Sequence, residues 1–178
     1  KPIGYHIWRD MRQAQQIRTR LWELRITNPD RGVAPDVLQS IEQLACAQHD
    51  YELISGVYLV LKADLLAAYR HYAETTFDVY DHPSVIMFRA VIPALEGQVA
   101  WARQMVDELA DSGEKRRQVQ RWMQYARDVI DAAGGVSGDQ PVTTPPVPPP
   151  GYATLLPFAE ARRDARFDVQ VSGADMPD

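Results

Sequence analysis

Three features of the 178-residue sequence predict an all-α protein, a helical bundle followed by an extended proline-rich C-terminal arm. Apolar residues recur at three- and four-residue steps through most of the first 134 positions, which places them on one side of a helix. Clusters of Pro, Gly and Asn interrupt that spacing and mark the loops. After Gly134-Gly135 the periodicity stops, and residues 141–150 read PVTTPPVPPP, a stiff polyproline stretch. The predicted organisation is a bundle over residues 1–134, a linker over 135–151 and a docking arm over 152–178.

The first helix is expected from roughly Tyr5 to Ile26, with Ile7, Met11, Ala14, Ile17, Leu21 and Leu24 as its buried stripe. The run from Thr27 to Gly32 ends it. A short helix follows Pro35 and Asp36, because proline suits the first turn and Asp favours its N-terminus. The third helix spans about Asp50 to Thr75, with Ile54, Tyr58, Leu61, Leu65, Ala68 and Tyr72 facing inward. A turn is expected over residues 77–83, since the residue before a proline avoids helical angles. The fourth helix, about Pro83 to Leu109, carries an alternating three–four stripe from Val85 to Leu109, and Pro93 predicts a kink within it. The fifth runs from about Gly113 to Ala133, with Val119, Trp122, Ala126, Val129, Ile130 and Ala133 inward and the Gly pair ending it.

The formal net charge of -5 gives no global case for nucleic-acid binding. Its distribution is uneven. Residues 1–35 carry seven basic and three acidic side chains, a net of +4, whereas residues 36–111 carry four and twelve, a net of -8. That asymmetry predicts charge complementarity inside one bundle, with a basic partner-facing surface as the sharper alternative. The lone Cys46 excludes an internal disulfide, reads as a small core residue and fits a reducing cytoplasm. No apolar run is expected to reach the ~18 residues of a membrane span.

Two His-x-x-Glu pairs, His49/Glu52 and His71/Glu74, put potential ligands on one helix face, but 22 residues separate the histidines. That is roughly 33 Å along a continuous helix at ~1.5 Å per residue, so solvated pairs are expected instead of a shared metal site. His6 and Asp10, one turn apart, are expected to make surface hydrogen bonds. Glu96 borders the stripe of the fourth helix. Antiparallel packing around a turn near Val79 sets it opposite Lys62, so a buried Glu96–Lys62 ion pair is expected, with a functional carboxylate at the kink as the alternative. There is no Ser-His-Asp order, phosphate loop or Cys-based zinc spacing.

With the helices in this order, the segments HIWRDMRQAQQIRTRLWELR and YLVLKADLLAAYRHYAETTFDVYDHPSVIMFRAVIPALEGQVAWARQMV resemble a bacterial branch of the ferritin-like helical-bundle proteins. The resemblance implies an antiparallel ferritin-like bundle. For an enzyme of that type it also implies iron or manganese held by a Glu on each of two helices and a Glu-x-x-His on the other two. Glu52 and Glu96 are the positions that match the lone glutamates; the sequence contains no Glu-x-x-His. Ligand count therefore favours a non-catalytic helical subunit or scaffold of a protein complex over a ferritin-like metal-dependent oxidoreductase. Its expected partner is another protein subunit or a second copy, not nucleic acid or membrane. The arm is expected to make that contact through Leu155, Leu156 and Phe158, large apolar groups that a free tail rarely carries.

Overall fold

A computed structural model describes residues 2–28 and 34–152, and among these every regular element is helical. The helices are α1 (Pro2–Glu23), α2 (Pro35–Leu44), α3 (Asp50–Ile54), a π segment (Ser55–Leu61), α4 (Lys62–Thr75), α5 (Asp78–Leu109) and α6 (Gly113–Ala132). The expected third helix is thus one rod whose middle is wound as a π-helix. Wider i→i+5 turns there shift the phase that a steady 100° per residue would give.

Side chains explain the ends. Pro35 starts α2 without needing to donate an amide bond. Glu52 accepts the backbone amides of Gln48 and His49, each at 3.1 Å, and so caps α3. The Ser112 hydroxyl accepts the Lys115 amide at 3.3 Å at the start of α6. Gly134 and Gly135, with φ of 97° and 75°, close α6 in the left-handed region. In α5 the departure from helical angles falls at Asp81 (φ -127°, ψ 29°), not at Pro93. The expected turn over 77–83 is therefore mostly helix, bent three residues after its start.

α5 is the central helix and touches α1, α3, the π segment and α4. Val79–Leu109 is long and apolar enough by composition to cross a membrane, contrary to the expectation above, with a mean hydropathy of 1.3 over its most apolar stretch. One core layer joins Tyr51, Ile54 and Tyr58 to Ala102, Val106, Ala110 and Val119. A second joins Leu44 and Val60 to Ala126 and Ile130, and a third joins Ala47 to Trp122, Tyr125 and Val129. All six inward positions expected of α6 are buried. Its Trp122 lies against Gly56 so closely that a Cβ there would sit 2.7 Å from the indole nitrogen. Only glycine at 56 leaves that space.

Beyond α6 the chain turns back along the bundle. The Thr143 amide donates to the Ala132 carbonyl at 2.9 Å, and Tyr152 stacks on Trp122 with ring centroids 5.0 Å apart.

Candidate functional site

α1 sits on the bundle with much of its expected stripe turned outward, only Ile17 and Leu21 of the six being half-buried. Ile7, Met11 and Leu24 are 54%, 68% and 49% exposed, while His6 and Gln13 are the buried residues of the helix. Positions 6, 10, 13, 17 and 20 share one face at helical spacing, and four of those five are polar. The surface beneath explains the choice, because it offers polar partners.

Near the N-terminus, His6 Nδ1 lies 3.2 Å from the Tyr58 hydroxyl, and its ring meets Trp101 edge-on at 4.8 Å. Burial, then the Lys62 ammonium, lowers the His6 pKa, with Asp10 opposing. One turn on, the Lys62 ammonium donates to Asp10 and to Gln98, both at 2.5 Å, and lies 4.4 Å above the Tyr58 ring. Gln98 completes the triangle by donating to Asp10 at 3.0 Å. At the far end, Arg20 donates to Asp81 and to Ser84, each at 2.7 Å, and Tyr72 also donates to Asp81. The donors from Ser84, then Tyr72, then Arg20 hold the Asp81 carboxyl down at about 2.

The outer side of α1 is the reverse of this seam. Trp8 and Trp22 are 52% and 67% exposed, in addition to Ile7 and Met11. Isolated exposed apolar residues are ordinary on a protein surface. On α1 they form a run along the whole helix.

A second constellation surrounds Glu52, which is fully buried. One carboxylate oxygen takes the Gln48 and His49 amides just before α3 and the other takes the Tyr152 hydroxyl at 2.5 Å. Burial, then the bond to Glu52, pushes the Tyr152 hydroxyl up to about 12. Glu52 is therefore a capping group and an anchor for the returning chain, not half of a solvated His-x-x-Glu pair. His71 and Glu74 are both exposed, as expected of a solvated pair.

The expected Glu96–Lys62 pair does not form. Glu96 is exposed and bonds Arg70 at 2.5 Å, and their side chains are 44% and 50% exposed. Lys62, 12% exposed, pairs with Asp10 instead. Residues 96 and 98 stand about 200° apart on α5 at ~100° per residue, so with Gln98 buried against the Lys62 ammonium, Glu96 turns to solvent. Nor do Glu52 and Glu96 meet. Arg70, which holds Glu96, lies 18 residues beyond Glu52 on the same rod, roughly 27 Å away at ~1.5 Å per residue. Among the described residues, no group of three or more His, Cys, Asp or Glu is placed to hold a metal ion. Cys46 is half-buried and its thiol donates to the Glu42 carbonyl at 3.4 Å; burial, then Glu42, raises its pKa. Leu155, Leu156 and Phe158 lie outside the described residues.

Sequence reasoning passed over Asp10, Gln98, Arg20 and Asp81 as a connected seam. The 3.6-residue recurrence of polar groups at 6, 10, 13 and 20 was its one signal, masked by the stronger apolar recurrence beside it. Comparison with known protein families, curated proteins and solved structures finds no match to this chain.

Proposed function

We propose that this protein is a non-catalytic helical subunit or scaffold of a protein complex. One observation carries the reading: α1 spends its polar face on its own bundle and presents Ile7, Trp8, Met11 and Trp22 outward. Leaving such a face in water forgoes roughly 1.5–3 kcal/mol for each large side chain that a partner could bury. The arm is the second element of the reading. Tyr152 ties its root to Trp122 and Glu52, and Leu155, Leu156 and Phe158 follow it in sequence. The ferritin-like arrangement belongs to the same proposal, supported by the long antiparallel pairing of α4 with α5.

The test is the mass of the protein in a gently prepared extract of its host cells, by size exclusion with light scattering. The chain should run in an assembly larger than one copy. Met11→Arg should disperse that assembly while the circular-dichroism spectrum stays unchanged. A single-copy mass for the unsubstituted chain ends the proposal.

A further inference from the structure

The outward side of α1 borders a groove. Trp8, Arg9, Arg12 and Gln16 form one wall and Ala90 of α5 lies on the floor. From Ala90 the floor continues along α5 as exposed Pro93, Gly97 and Ala100, at helical steps of three and four. Gly97 is not required by the fold. A Cβ there would meet nothing within 4 Å, and glycine inside a helix costs about 1 kcal/mol relative to alanine. Small residues at that spacing let the backbone of a second helix come close, since interaxial distance follows the side chains at the contact.

The wall carries two cations without anions. Arg9 lies over the Tyr5 ring at 5.8 Å and donates to its hydroxyl at 3.1 Å, and Arg12 lies over the Trp8 ring at 5.3 Å. Among the described residues neither forms an ion pair. Next to Arg12 in sequence, Gln13, 9% exposed, keeps an amide nitrogen with no acceptor among the described residues. Two guanidinium groups without a carboxylate and one buried amide without an acceptor thus lie beside a small-residue floor.

Resting on the reading of this chain as a subunit, we infer that the groove between α1 and α5 receives an acidic amphipathic helix of a protein partner. Its small or apolar face lies on Ala90, Pro93, Gly97 and Ala100, and carboxylates one turn apart meet Arg9 and Arg12. Charge complementarity selects the sign of the occupant. The concave section selects a helix over a flat lipid surface, and helix-in-groove docking is a recurrent mode of recognition.

The experiment titrates the full chain into a fluorescein-labelled amphipathic peptide of about 18 residues, enough to cover the floor at ~1.5 Å per residue. Its polar face is Glu and its other face is Ala and Leu. Anisotropy should report binding at least about tenfold tighter than for the same peptide with Lys in place of Glu. Arg9→Glu with Arg12→Glu should invert that preference, and Gly97→Leu should abolish binding with an unchanged circular-dichroism spectrum. Equal binding of both peptides, indifference to Gly97→Leu, or binding only to phosphatidylglycerol vesicles overturns the inference. A photo-crosslinking residue at Ile86 or Val147, exposed positions on α5 and on the linker that leads to the arm, separates the two claims in host cells. Adducts with another protein from position 86 support the groove. Adducts from 147 alone, or joining two copies of this chain from 86, overturn the groove and leave the subunit reading standing. Adducts from neither position overturn both.

Discussion

α6 and α1 are both amphipathic helices of about 20 residues that lie on the same central bundle, and they dock in opposite senses. α6 turns its apolar side inward, with Trp122, Val129 and Ile130 almost wholly buried against Leu44, Val60 and Gly56. α1 turns its polar side inward and meets Tyr58, Lys62, Gln98 and Asp81. The difference lies in the receiving surface. The α2–π-segment surface is apolar where α6 lands. Where α1 lands, the bundle carries a lysine, a glutamine and an aspartate that need partners when covered. A helix held by apolar burial resists salt and pH, whereas one held by charge-assisted hydrogen bonds does not.

The largest effect that sharpens this contrast is on the α6 side. Trp122→Ala should cost about 3–5 kcal/mol in urea unfolding, because it empties the space over Gly56 and removes the stacking surface of Tyr152. Gly56→Ala should also destabilise, since its Cβ meets Trp122, and a double variant with Trp122→Ala should recover part of the loss.

On the α1 side the corresponding break is Lys62→Met. It leaves Asp10 and Gln98 without their shared donor and should cost about 1–3 kcal/mol. Asp10 is 36% exposed, so water screens part of that and the lower half of the range applies. Protease accessibility of α1 should rise while α6 stays protected. Equal protection of both helices would show that the seam does not hold α1.

The pH dependence should separate the helices further. His6 has a lowered pKa, so the unfolded state binds its proton more readily, and the associated stability is complete above the ordinary value near 6.5 and falls as pH drops through it. Asp81 adds a second window. Its stability is present above the ordinary carboxylate value and is lost as pH falls towards about 2. Amide protection factors, which allow for the intrinsic slowing of exchange towards acid, should therefore fall in α1 before α6 between pH 7 and pH 5. His6→Gln should remove the first step.

The smallest effect is the most diagnostic. Met11→Gln on the outer side of α1 should change stability by less than about 0.5 kcal/mol, as for surface positions generally. The same change at Val129, 1% exposed, should cost several-fold more. Comparable losses at both sites would mean that Met11 is buried within the single chain.

Helix existence and most boundaries were legible from spacing and breakers. The rod from Asp50 to Thr75 and the inward set of α6 match their expectations. The π segment was not legible, since Ser55–Leu61 carries no residue that forbids ordinary α winding. The error at Lys62 and Glu96 lay in the face of α5, where Gln98 and not Glu96 turns inward. Glu52 was read as a solvated or metal-binding carboxylate, because nothing nearby in sequence reveals that a tyrosine 100 residues later reaches it.

Periodicity alone determined which residues share a face, because helix geometry relates neighbours three and four positions apart whatever surrounds them. The tertiary structure decided which face turned inward. That choice depends on the surface each helix meets, and for α1 the decisive partners lie 52 and 88 residues away from Asp10. Contacts of that separation leave no local trace, so the polar stripe of α1 became a seam, and Ile7, Met11 and Leu24 became surface, only when the bundle assembled.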